Sequence, residues 1–166
     1  MKLWSRTVLA AYLVILLWLV LFKFSSDIAS VVAHHNATTL NLIPFANNRL
    51  REMFDNVIFF VPLGLLLGLN YKAVSFKRKL AFVGIVSLVV EMTQFVLAIG
   101  IADITDVIMN TFGGLIGLAL YDAVRKRPYV KSSRLDLFID IAITMVIAVL
   151  LAVFLYFRIF VLKVKY

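Results

Sequence analysis

The chain contains no cysteine among its 166 residues, which excludes disulfides, cysteine-ligated zinc and thiol catalysis while leaving the compartment open. Charge is scarce as well. Only 16% of residues are Asp, Glu, Lys or Arg against 63% hydrophobic, a balance too apolar for a soluble domain of this size to cover with water-compatible surface. Acids are scarcer than bases, nine against 17, for a net charge of +8. In a soluble protein that excess would point to nucleic acid. No nucleic-acid-binding module is present, however, and the bases sit beside apolar runs, where they set topology and touch anionic head groups. A nucleophile elbow, Walker loop, zincin motif and lipid-phosphatase signature are also missing, as are internal repeats and low-complexity segments.

What remains is a series of apolar runs, three of them near the roughly 20 residues needed to cross a bilayer and two shorter, at 57–69 and 104–121. They predict one all-α domain over 1–166, a polytopic transmembrane bundle of about five spans. The expected spans cover about 7–23, 56–71, 80–99, 103–122 and 136–157. The first follows Lys2 and Arg6 but lacks a small-residue cleavage site, so it reads as an uncleaved span. The second has a short apolar run interrupted by Pro62, which suggests a broken or tilted helix supported by its neighbours.

Eleven bases fall at the N-terminus, around 72–79 and around 125–134, and six fall in the alternate segments. The positive-inside rule therefore expects a cytoplasmic N-terminus and an outside C-terminus in a bacterial plasma membrane. In the first outer loop, Leu50, Met53, Phe54 and Val57 recur at helical spacing opposite Arg49, Arg51 and Glu52, which predicts an interfacial helix over about 46–55. His34 and His35 are adjacent but lack any ligand pattern, and Asn36-Ala37-Thr38 matches a glycosylation sequon with no meaning in a bacterial host.

Candidate chemistry concentrates in spans three and four. Glu91 lies within an apolar run, where an ionisable side chain is costly enough to mark a site by default. Gly84, Ser87, Glu91, Gln94 and Ala98 share one arc of roughly 80°, so the stripe faces protein and not lipid. Asp103, Asp106, Asn110, Gly113 and Gly117 form a matching stripe on span four. A short loop around Gly100 makes the two spans an antiparallel hairpin, with Glu91 and Gln94 expected level with Asp106 and Asn110 in a polar pocket in the outer half of the membrane. Gly64 and Gly68 in span two and Gly113 and Gly117 in span four are small-x-x-x-small pairs that let backbones approach, within the bundle or in a dimer. Packed together, they carry Asn56 to the pocket rim, with Arg49 and Arg51 nearby. Structural roles compete: Asp103 as an N-cap with Asp106 in the first turn, Asn110 and Gln94 as interhelical hydrogen-bond partners. Asp136 and Asp140 open span five and are explained by the helix dipole.

The motifs Asn41-Leu42-Ile43-Pro44-Phe45, Asn56 with Phe60-Val61-Pro62-Leu63-Gly64, Glu91-x-x-Gln94, and Asp103-Ile104-x-Asp106-Val107-Ile108-x-Asn110-Thr111-x-Gly113-Gly114 occur in one order that resembles the VanZ-like family of glycopeptide (teicoplanin) resistance membrane proteins. The resemblance covers Leu3 to about Tyr121, with span five outside it. Family members often carry an Arg shortly before the first Asp of the last motif. Gly100-Ile101-Ala102 stands there instead, so the ligand or activity is expected to differ if that Arg pairs with an anionic ligand or with the acids. The resemblance implies a bacterial envelope setting, with membrane lipids, lipid-linked wall precursors or lipoglycopeptides as partners. A non-enzymatic binder that lowers glycopeptide susceptibility is the first expectation. The second is a membrane enzyme on a lipid-linked substrate, with Glu91, Asp103 and Asp106 as acid and base or as holders of a hard cation such as Mg²⁺. A small proton-coupled transporter is the third, although five spans without an inverted repeat argue against it.

Overall fold

Each of the five apolar runs forms a helix in the computed structural model, which describes residues 2–22, 39–46, 50–98, 101–127 and 132–156. The order is α1 (Lys2–Phe22), β1 (Thr39–Asn41), α2 (Leu50–Asn70), α3 (Phe76–Leu97), β2 (Ile101–Asp103), α4 (Ile104–Arg125) and α5 (Ser132–Tyr156). Among the described residues four helices, α1 to α4, are long and apolar enough to cross a membrane. The fifth expected span coincides with α5, which buries Ile139, Ile143 and Ile147 at one-turn spacing and turns Phe138, Ile141 and Met145 outward.

Glycine decides which helices touch. α2 and α4 run parallel, and a β-carbon on Gly64 or Gly117 would collide with backbone of the opposite helix: the Gly114 carbonyl oxygen for Gly64, the Val61 carbonyl oxygen for Gly117. Gly113 meets the Val57 backbone in the same way, while Gly68 faces the Tyr121 ring. Lipid tails are as apolar as leucine, so close van der Waals approach, and not burial from water, holds such a pair together. Gly114 receives the side chain of Val83 from α3 on its other flank.

Pro62 leaves α2 continuous from Leu50 to Asn70. Proline removes one backbone donor and crowds the carbonyl four residues earlier, and the surrounding helices support this stretch. The Tyr12 hydroxyl of α1 donates to the Phe59 carbonyl at 2.7 Å, and the Val57 and Val61 carbonyls press on Gly113 and Gly117. Tyr12 is 2% exposed. Tyr12→Phe keeps its packing and deletes one hydrogen bond, so it is expected to cost about 1 kcal/mol and lower the melting temperature in detergent by a few degrees. An unchanged melt would remove this brace from the account.

Two features differ from the sequence-based expectation. Leu50–Asp55 is the first part of α2 and not a separate helix, because α2 runs unbroken from Leu50 to Asn70, about 31 Å at 1.5 Å per residue and long enough to span. Residues 47–49, 23–38 and 157–166 lie outside the described residues, and with them Arg49, His34, His35 and the sequon. The second difference is a pair of three-residue strands, β1 and β2, that lie parallel with Thr39 opposite Ile101, Leu40 opposite Ala102 and Asn41 opposite Asp103. They clasp the segment before α2 to the start of α4.

Candidate functional site

At the end of the bundle where α2 and α4 begin, polar side chains from several helices face one another. Asp103 caps α4, its Oδ1 accepting the Thr105 N–H at 2.8 Å, and Asp106 sits in the first turn, where the helix dipole favours negative charge. Asn56 of α2 donates its Nδ2 to Asp106 Oδ1 at 2.8 Å. Gln94 of α3 donates its Nε2 to the Val20 carbonyl at 3.0 Å, satisfying one of the orphan acceptors in the last turn of α1. Its Oε1 is buried and makes no hydrogen bond within the described protein.

These groups wall a cavity of about 330 Å³. Asn56, Gln94, Asp106 and Arg51 line it, together with Glu52 and Asp55. Leu19, Val20 and Phe59 supply its apolar side. Among the described residues the wall therefore carries three carboxylates, Glu52, Asp55 and Asp106, and one guanidinium, Arg51.

The remaining expected site residues are elsewhere. Glu91 and Asp103 sit behind the cavity in the clasp: Glu91 Oε2 accepts the Asp103 backbone N–H at 2.8 Å, and Asp103 Oδ2 accepts from Asn41 Nδ2 at 2.9 Å. Asn110 lies deeper, fully buried, donating to Ser87 Oγ at 2.8 Å. The α3 and α4 stripes do meet, but about one helical turn out of the expected register. β2 descends in extended form beside the last turn of α3 before α4 begins, so Asn110 pairs with Ser87 and not with Glu91. Among the described residues no three acids or histidines converge to hold a metal, and the Mg²⁺ expectation gains no donor set from Glu91, Asp103 and Asp106.

Sequence reasoning missed Glu52 and Asp55, which share one helix face with Asn56 and Phe59 once α2 is taken to start at Leu50. It also missed the role of the Asn41–Phe45 motif. Asn41 reaches Asp103, its Oδ1 accepts the Ile43 N–H, and the Phe45 N–H donates to Thr105 Oγ1 at 3.0 Å. Phe45 takes a left-handed φ of 60°, rare for a bulky residue, and that contact to α4 helps fix it. Leu42, Ile43 and Phe45 remain exposed on this loop.

No solved structure matches the chain. The chain is 49% identical over 150 residues to "Protein VanZ" of Enterococcus faecium, covering 89% of this chain and 92% of that one. The family model described as VanZ/LLP1 matches residues 9–125, the stretch that carries α1 to α4, the clasp and the cavity, and the chain belongs to that family.

Proposed function

We propose that this membrane protein binds an amphipathic envelope ligand through the acceptor-walled cavity and thereby lowers the susceptibility of its bacterial host to glycopeptides such as teicoplanin. The observation that carries the reading is the set of three carboxylates that the cavity wall presents beside apolar side chains. Carboxylates of Glu52, Asp55 and Asp106 on one wall suit a donor-rich group, an ammonium or sugar hydroxyls. Leu19, Val20 and Phe59 give the same cavity an apolar side. Its volume falls in the range of roughly 300–1,000 Å³ usual for ligand sites. A lipid-linked wall precursor, a lipoglycopeptide or a lipid all combine such donors with an apolar tail. With the N-terminus in the cytoplasm, as the distribution of bases favours, the cavity opens toward the outer leaflet, where these molecules are met. The enzyme reading draws less support, because Glu91 and Asp103 are occupied in holding the clasp.

Asp106→Asn tests the proposal. The amide oxygen keeps the bond from Asn56 while the charge is lost, so membrane abundance should hold. A charge-assisted hydrogen bond is worth about 1.5–3 kcal/mol, so ligand affinity should fall at least about tenfold and teicoplanin resistance with it. Full resistance in Asp106→Asn and in Gln94→Leu, at normal abundance, would sink the cavity as the working site.

A further inference from the structure

The opposite end of the bundle, where α1 and α3 begin and α2 and α4 finish, carries two adjoining cavities of different character. One, of about 350 Å³, is walled by Lys72, Lys79, Arg125 and Lys126 with Asp122. The other, of about 280 Å³, is an apolar groove between α1, α2 and α3 lined by Leu9, Leu13, Leu67 and Phe82. Lys79 and Val74 belong to both walls, so the cationic cavity and the apolar groove adjoin.

The charges here oppose ordinary helix design. The first turn of α3 holds Lys77, Arg78 and Lys79 and no acid, although a helix N-terminus carries partial positive charge and favours anions. Ser75, at the N-cap, makes no side-chain cap bond. Lys79 is only 6% exposed, and among the described residues no carboxylate is bonded to it. Lys72 is already paired, with Asp136. An ammonium held by a largely buried side chain beside like charges and a helix N-terminus is a place where an anion is favoured. Asp122 alone does not balance Lys79, Arg125 and Lys126.

We propose that this end binds one anionic phospholipid, its phosphate held by Lys79, Arg125 and Lys126 and an acyl chain lying in the groove of Leu9, Leu13, Leu67 and Phe82. The phosphate supplies the missing counter-charge, and the groove starts where the phosphate ends, at Lys79. This is independent of the acceptor-walled cavity and does not rest on its proposed function.

The test is native mass spectrometry of the full chain in a mild detergent, titrated with phosphatidylglycerol, phosphatidylcholine and inorganic phosphate. A single phosphatidylglycerol adduct is expected, with phosphatidylcholine binding far less and a dihexanoyl phosphatidylglycerol binding more weakly than the long-chain lipid. Lys79→Met should weaken the adduct by about fivefold, and Arg125→Gln with Lys126→Gln by about 25-fold, taking about 1 kcal/mol per basic residue. The second variant changes only exposed positions, so it decides the matter if Lys79→Met does not fold. Equal binding of phosphatidylcholine, unchanged affinity in the Arg125/Lys126 variant, or displacement of the lipid by millimolar inorganic phosphate would each overturn the proposal.

Discussion

Gly117→Ala is expected to destabilise the bundle by about 3 kcal/mol, the upper end of the usual cost of overpacking, while Gly84→Ala leaves it unchanged or firmer. Alanine is a better helix former than glycine by about 1 kcal/mol, so propensity alone favours both substitutions. The neighbours decide the sign. A methyl on Gly117 would collide with the Val61 carbonyl oxygen and lie 2.9 Å from the Leu65 nitrogen, and both belong to the α2 backbone, which cannot rotate away as a side chain can. On Gly84 the same methyl meets only Thr111 Oγ1, at 3.6 Å, an ordinary contact. Melting of the detergent-solubilised chain and its abundance in membranes report the difference. A Gly117→Ala protein that melts with the parent would show that α2 and α4 are not in backbone contact.

The Gly64, Gly113 and Gly117 contacts are legible in the sequence because small residues one turn apart state directly which helix faces touch. The polar stripes of α3 and α4 are legible for the same reason, being confined to one arc each. The first part of α2 is not. Arg51, Glu52 and Asp55 count against a span when apolar residues are tallied, and nothing in the local sequence says that they face a cavity and not water. The β1–β2 clasp is invisible for another reason: three residues per strand are too few to show a period of two, and the partners are 62 positions apart. That missed clasp also sets the one-turn error in register, since an extended return beside α3 uses up residues that a tight loop would not. The walls given by Leu19 and Val20 could not be assigned either, because an apolar residue facing a cavity reads the same as one facing lipid.

The clasp makes a prediction that reverses the simplest expectation for Asp103. Asparagine caps a helix about as well as aspartate, so as a cap alone Asp103→Asn would be nearly silent. Here both carboxylate oxygens are taken: Oδ1 by the Thr105 N–H and Oδ2 by Asn41 Nδ2. An amide has one acceptor oxygen, so the variant either loses the cap or turns its own NH₂ group against that of Asn41. With Asp103 only 8% exposed, the unsatisfied donor should cost about 1–3 kcal/mol. Asn41→Asp alone should also destabilise, by placing two carboxylates against each other. The exchanged pair is different. Its amide at position 103 would cap Thr105 through the oxygen and donate the nitrogen to the carboxylate at position 41, whose other oxygen still accepts from the Ile43 N–H. Asn41→Asp combined with Asp103→Asn is therefore expected to recover most of the stability lost by either single change, a favourable coupling of about 1–3 kcal/mol in a double-mutant cycle read by thermal melting. Losses that simply add would mean that Asn41 does not reach Asp103. The bond from the Phe45 N–H to Thr105 would then be the contact to α4 that anchors the left-handed Phe45.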